Sequence, residues 1–216
     1  LLTTVAPAVA KAAIESGAAA PIITDWDAYE SKLRALMGYD NKMIRRFTEM
    51  AVQNPKRVVF AEANHANMLS AAVTAYQEGI CFPILLGNTD YIHSVAEQNG
   101  LNLDGLEIVN LRSGEETERR EKYAKILAQK RQREGITLDE AREKMFDRNY
   151  FGMMMVEVGD ADAFITGTYT KYTETIQIAK DVIGIREGHK HFGAMHIMNT
   201  KKGTYFLADT LINRHP

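Results

Sequence analysis

A chain of 216 residues is long enough for one large domain or two smaller lobes, and 45% apolar with 25% charged residues is an ordinary balance for a folded core. A formal net charge of -2 gives no electrostatic case for nucleic acid or an anionic membrane as partner. The one cysteine, Cys81, excludes an internal disulfide and a multi-cysteine metal site, and fits a reducing, cytoplasmic compartment.

The first segment, "LLTTVAPAVAKAAIESGAAA", lacks the basic start of a secretory leader and is interrupted by Lys11 and Glu15. It reads as an amphipathic helix over 4–16, with Pro7 tolerated in the first turn and Gly17 as a stop. No apolar run approaches the roughly 20 residues that cross a bilayer. Residues 18–25 read as a linker. A second helix starts near Asp25, where Trp26, Tyr29, Leu33 and Leu36 recur at helical spacing, and a third covers about 41–53.

From there strands and helices alternate. "RVVFAE" (57–62), "FPILLG" (82–87) and "LEIVNL" (106–111) read as strands, separated by helices over 66–78 and about 90–98. This order predicts a parallel sheet covered by helices on both faces. A charged helix over 117–133 follows, its buried stripe made by Tyr123, Ile126 and Leu127, with Glu118–Lys122 and Glu121–Lys125 as i,i+4 pairs. Thr137 and Glu140 have the spacing of a capping box, and "YFGMMMVEVG" (150–159) reads as a buried helix. A short strand inside "GDADAFITGTYT", a helix over 173–182 and strands over 192–198 and 203–209 complete the pattern. The chain starts without Met and stops just after a strand-like segment, as a piece of a longer protein would.

Several constellations carry a chemical reading beside a plainer one. His189, His191 and His196 lie close in sequence, but zinc needs further ligands and an ordered shell, and a solvated turn accounts for them. The chain contains no HExxH, GxSxG, GxGxxG or GxxxxGK[ST] motif, so the common hydrolase and phosphate-loop sites have no support. Glu62, Asn64, His65 and Asn67 stand between a strand and a helix, the usual address of a site in an open α/β sheet, although Asn64 could simply cap the helix. Arg131 and Arg133 end a helix, either as a solvated C-terminus or as a guanidinium clamp for an anionic ligand. Thr166, Gly167, Thr168 and Tyr169 offer hydroxyl and backbone N–H donors, with Gly167 allowing close approach.

Four segments, "RVVFAEANHANMLSAAVTAYQEGICFPILLGN" (57–88), "REGITLDEAREKM" (133–145), "FGMMMVEVGDADAFITG" (151–167) and "GTYFLADTLIN" (203–213), together resemble the phosphate acetyltransferase family over about 43–213. Ahead of them, "VAPAVAKAAIESGAA" (5–19) is similar to the last helix of a bacterial malic enzyme domain, a combination found in hybrid NADP-dependent malic enzymes.

The resemblance implies a three-layer α/β/α fold of two lobes with its C-terminal part missing. It places a malic enzyme end and linker at 1–24, a first lobe at 25–149 and an incomplete second lobe at 150–216. It implies a cleft for coenzyme A or acetyl-CoA, with Arg131 as a ligand contact and Thr166 and Gly167 on the bordering loop. Two departures stand out. Asn64-His65 replaces an acidic pair and Asn67 an arginine, and Gln177 stands where catalytic members carry an arginine. A neutral amide cannot neutralise phosphate as a fixed cation does.

The expectation is therefore a regulatory and oligomerising domain that senses acetyl-CoA as a small-molecule effector. Its ligand contacts would come from Glu62, Asn64, Arg131, Thr166, Gly167, Thr168, Tyr169 and Gln177, with no catalytic or metal-ligating residue. In the parent enzyme an upstream domain would bind NADP and a divalent metal, Mg or Mn. An active phosphate acetyltransferase and a purely structural, assembling domain are the competing readings.

Overall fold

The structure is a computed structural model that describes residues 2–20, 23–36, 42–200, 203–209 and 212. Parts of the 18–25 linker and of the final "GTYFLADTLIN" segment lie outside the described residues. The chain divides into two compact units, one of Met50–His191 and one of Leu1–Glu49 with Phe192–Pro216.

The Met50–His191 unit is built on four parallel strands, β1 (Lys56–Phe60), β2 (Cys81–Leu86), β3 (Glu107–Val109) and β4 (Ala163–Ile165), in the spatial order β3-β2-β1-β4. Val58, Val59 and Phe60 of β1 face Pro83, Ile84 and Leu85 of β2 on one side and Ala163, Phe164 and Ile165 of β4 on the other. Side chains alternate across the sheet, so each strand feeds two cores. Val58, Phe60 and Leu85 point to the layer of α4 (Ala66–Gln77) and α5 (Thr89–Gln98), where Leu69, Ala72, Ile92 and Val95 are buried. Val59, Ile84, Leu86 and Val109 point to the opposite layer, where α6 (Thr117–Arg131), α7 (Leu138–Lys144), α8 (Arg148–Glu157) and α9 (Tyr172–Val182) bury Tyr123, Leu127, Phe151 and Met154.

The expected parallel sheet covered on both faces is therefore present. β1, α4, β2, α5 and β3 run outward in one direction from β1. The chain then returns on the other face through α6, α7 and α8 to lay β4 beside β1. The direction of winding reverses between β1 and β4. In an open α/β sheet, that reversal leaves a crevice at the carboxyl ends of the strands.

Local chemistry sets the element boundaries. Asn88 accepts a hydrogen bond from the Tyr91 N–H and starts α5, and Asp147 accepts from the N–H groups of Asn149 and Tyr150 and starts α8. The expected capping box is formed, with Thr137 and Glu140 each serving the other's backbone N–H at the start of α7. A short 3₁₀ turn (Gln132–Glu134) closes on Gly135, whose φ of 89 is left-handed and suits glycine. Glu121 pairs with Lys125 at 3.4 Å as its spacing predicts, but is held more closely by Nε and Nη2 of Arg142 from α7, at 2.9 and 2.8 Å. Arg142 holds the Glu121 carboxyl down to about 2, the Lys125 ammonium adding less.

The second unit contains α1 (Leu2–Glu15), α2 (Trp26–Leu36), most of α3 (Lys42–Gln53), and an antiparallel ribbon of β5 (Met195–Thr200) and β6 (Gly203–Ala208). Asp25 accepts from the Ala28 N–H and opens α2, and the Lys11 ammonium lies 5.0 Å from the centre of the Trp26 ring. The ribbon starts three residues later than the 192–198 reading, and its strands are exposed along most of their length.

Candidate functional site

At the reversal between β1 and β4, Glu62 is the organising residue. It follows β1 in a tight turn, where its carbonyl accepts from the His65 N–H at 3.0 Å, and only 1% of its surface is exposed. Its carboxylate accepts hydrogen bonds from the backbone N–H groups of Thr168 and Tyr169 at 2.9 and 3.0 Å and from the Thr170 hydroxyl at 3.1 Å. Burial pushes this carboxyl up, but the N–H and hydroxyl donors outweigh it and its pKa lies below the ordinary glutamate value. A carboxylate is expensive to bury without partners, so the loop after β4 must fold over Glu62 to supply them.

Gly167, at φ 107, makes that fold of the loop possible. Thr166 donates its hydroxyl to the Asn149 side-chain oxygen at 2.9 Å, tying the same loop to α8. Above it the rings of His65 and Tyr169 stack, with centroids 3.6 Å apart and planes inclined by 22°. Glu62, Thr166, Gly167, Thr168 and Tyr169, far apart in sequence, thus form one constellation. The backbone N–H groups of Thr168 and Tyr169, read from sequence as ligand donors, are taken by Glu62.

Asn64 leaves the capping role unfilled: His65 occupies the N-cap position of α4 without a side-chain cap bond. Its side-chain oxygen accepts instead from Arg148 Nη1 at 3.0 Å. The two residues help to line a cavity of about 390 Å³ at the carboxyl ends of β1, β2 and β3. Gly87 and Asn88 after β2, Asn110 and Arg112 after β3, and Asp147 at the start of α8 complete its polar rim. Arg112, Arg148, Asn88 and Asn110 were absent from the candidates read in sequence. The available signal was positional, since each stands directly after a strand or at a helix start.

Arg131 and Gln177 are brought together elsewhere, around a separate concavity of about 360 Å³ that also includes Lys180, Asp181 and Gly184. Every nitrogen of the Arg131 guanidinium is engaged. Nε donates to the Asp181 carbonyl at 2.6 Å, Nη2 to the Lys180 carbonyl, and Nη1 to Glu134 at 2.7 Å. Lys130 beside it donates to the Val182 and Ile183 carbonyls and pairs with Glu157 at the end of α8. Two cations therefore satisfy the last carbonyls of α9, which would otherwise lack partners. Gln177 donates to Asp181 Oδ1 at 2.9 Å, one helical turn away. Among the described residues, no group of three or more His, Cys, Asp or Glu side chains is placed to hold a metal ion, and no helix is long and apolar enough to cross a membrane.

A crevice at the winding reversal of an open parallel sheet is a common place for a ligand, and comparison with known proteins shows the family. Residues 42–216 match the phosphate acetyl/butaryl transferase family model, and the chain belongs to that family. Over its whole length it is 36% identical to the NADP-dependent malic enzyme of Salmonella typhimurium, of which it covers 29%, within the C-terminal part. It is also 33% identical to the phosphate acetyltransferase of Thermoanaerobacterium thermosaccharolyticum, over 81% of this chain and 53% of that protein. The EutD phosphotransacetylase from Staphylococcus aureus shares the fold with a TM-score of 0.67 at 22% identity, across 80% of this chain and 51% of that one. The chain thus spans less than a third of that malic enzyme and about half of each of these two acetyltransferases.

Proposed function

We propose that this chain is the phosphate acetyltransferase-like part of an NADP-dependent malic enzyme, and that it binds acetyl-CoA as an effector without transferring the acetyl group. Residues 1–24 are then the end of the malic enzyme domain and its linker. Oxidative decarboxylation of malate, with NADP and a divalent metal such as Mg or Mn, belongs to the upstream domain, in a cytoplasmic homo-oligomer. The division into a first lobe at 25–149 and an incomplete second one at 150–216 belongs to the same reading.

The observation that carries it is the state of the two positions that the family resemblance singles out. Arg131 commits three of its five N–H donors to Glu134 and the end of α9, and Gln177 is a neutral amide bonded to Asp181. A group that stabilises developing charge must be free and preorganised, and losing one such contact commonly reduces turnover by about a hundredfold or more. Alignment of the whole chain with 29% of each of two NADP-dependent malic enzymes supports the malic enzyme assignment.

The test is made on the full-length malic enzyme. Acetyl-CoA is expected to change the rate of malate oxidation, and acetyl phosphate formation from acetyl-CoA and phosphate is expected to stay at background. Robust acetyl phosphate formation would establish the competing reading, an active phosphate acetyltransferase. An acetyl-CoA response that is absent in both assays and in calorimetry would leave only an assembling role.

A further inference from the structure

The cavity at the carboxyl ends of β1, β2 and β3 has an unusual polar lining. Three asparagines reach it, and each has its side-chain oxygen already occupied. Asn64 accepts from Arg148 at 3.0 Å, Asn88 from the Tyr91 N–H at 2.9 Å, and Asn110 from the Arg112 N–H at 3.2 Å. What remains on each asparagine is its NH₂, a donor. The one carboxylate on the rim, Asp147, caps α8 through Oδ1, which accepts from two backbone N–H groups at 2.8 and 3.1 Å, so one of its two oxygens is committed to the helix. Two guanidiniums complete the lining, Arg148 held by Asn64 and Arg112 exposed at the rim. Donors therefore outnumber acceptors among these side chains.

We propose that this cavity seats the phosphate groups of the ligand, with Arg112 and Arg148 as the charged clamp and Asn64, Asn88 and Asn110 as supporting donors. An acceptor-only anion is the complement of such a lining, and guanidinium matches phosphate in two-pronged geometry. A volume of about 390 Å³ lies in the range of pockets that hold whole small molecules, and leaves room for more than one phosphate group. Assigning these groups to a coenzyme A-type ligand rests on the function proposed above. The anion site itself does not.

Calorimetric titration of the full chain with four probes tests both parts: acetyl-CoA, the bisphosphorylated adenosine half of coenzyme A, inorganic pyrophosphate, and pantetheine, which has no phosphate. Acetyl-CoA and the adenosine half are expected to bind, and each to weaken about tenfold or more in Arg112→Gln and in Arg148→Gln. Arg148→Lys is expected to recover part of the loss, since charge returns without the fork. Pantetheine binding should not respond to either variant. Arg112 is exposed, so Arg112→Gln reports on binding without a folding defect. If acetyl-CoA binds the double Gln variant as tightly as it binds the wild type, the cavity is not the phosphate seat, while the coenzyme A reading stands. Arginine-dependent binding of pyrophosphate without binding of acetyl-CoA would keep the anion site and remove that reading. Failure of every phosphate-bearing probe to bind overturns the proposal.

Discussion

Glu62 shows what a single buried carboxylate does to a fold. Its three hydrogen bonds come from Thr168, Tyr169 and Thr170, more than a hundred residues away in sequence. Glu62→Ala leaves two backbone N–H groups without an acceptor and should cost about 2–4 kcal/mol in urea unfolding at neutral pH. The pH dependence follows from the lowered pKa of this carboxyl. Folding favours the ionised form, so its contribution is complete above the unfolded glutamate value of about 4.3 and is lost as pH falls through the lower folded value. The gap in stability between wild type and Glu62→Ala should therefore narrow at acid pH. A gap unchanged between neutral and strongly acidic pH would show that the charge is not the anchor. Arg57 and Asp162 make a second such tie, where hydrogen bonding to Arg57 takes the Asp162 carboxyl down to about 2.

At the scale of elements, α8 is the piece that the site depends on most, since Arg148 and Asn149 at its start reach Asn64 and Thr166. Its distance from the sheet is set at Gly152. A Cβ there would lie 2.4 Å from the Phe164 ring of β4 and 3.0 Å from Leu86 of β2. Gly152→Val should destabilise by about 1–3 kcal/mol, and loosening of the Thr166 loop should accompany it. Hydrogen exchange of the 166–170 amides, compared with urea unfolding, reads both effects. A Gly152→Val protein as stable as the wild type would mean that α8 can move away freely. Thr137→Ala removes the capping box of α7 and should cost about 1 kcal/mol, with little effect on that loop.

At the scale of the molecule, stability is distributed unevenly. Among the described residues, the buried aliphatic, aromatic and sulfur-bearing side chains all lie between Val58 and Val182, inside the Met50–His191 unit, and in the other unit Pro7 alone is buried. The chain's one tryptophan, Trp26, lies in the other unit, where it packs on Lys11 and Tyr29. Burial of apolar surface is the main stabilising term, so the units should differ in resistance to denaturant. Trp fluorescence is expected to change at lower urea than far-UV circular dichroism of the whole chain. Superimposable transitions would mean that the two units unfold as one.

Much of this was legible from local pattern. Period-2 and period-3.6 alternation located the strands and helices, Asp25 and the Thr137–Glu140 pair marked helix starts, and β–α alternation implied the parallel sheet. These signals are local because backbone geometry and hydrophobic periodicity act over a few residues. The family, too, was recognisable from short motifs. Only the tertiary structure decided which polar groups remained available. Arg131 reads as a ligand clamp in sequence, and in the fold three of its N–H donors go to Glu134 and the end of α9, while the Thr168 and Tyr169 N–H groups go to Glu62 from the neighbouring strand end. Arg112 and Arg148 became candidates by the reverse route, because the strand order brings the ends of β1, β2 and β3 and the start of α8 to one cavity. A residue's type and neighbours state what it can bond. Whether that capacity is already satisfied depends on partners that only long-range packing supplies.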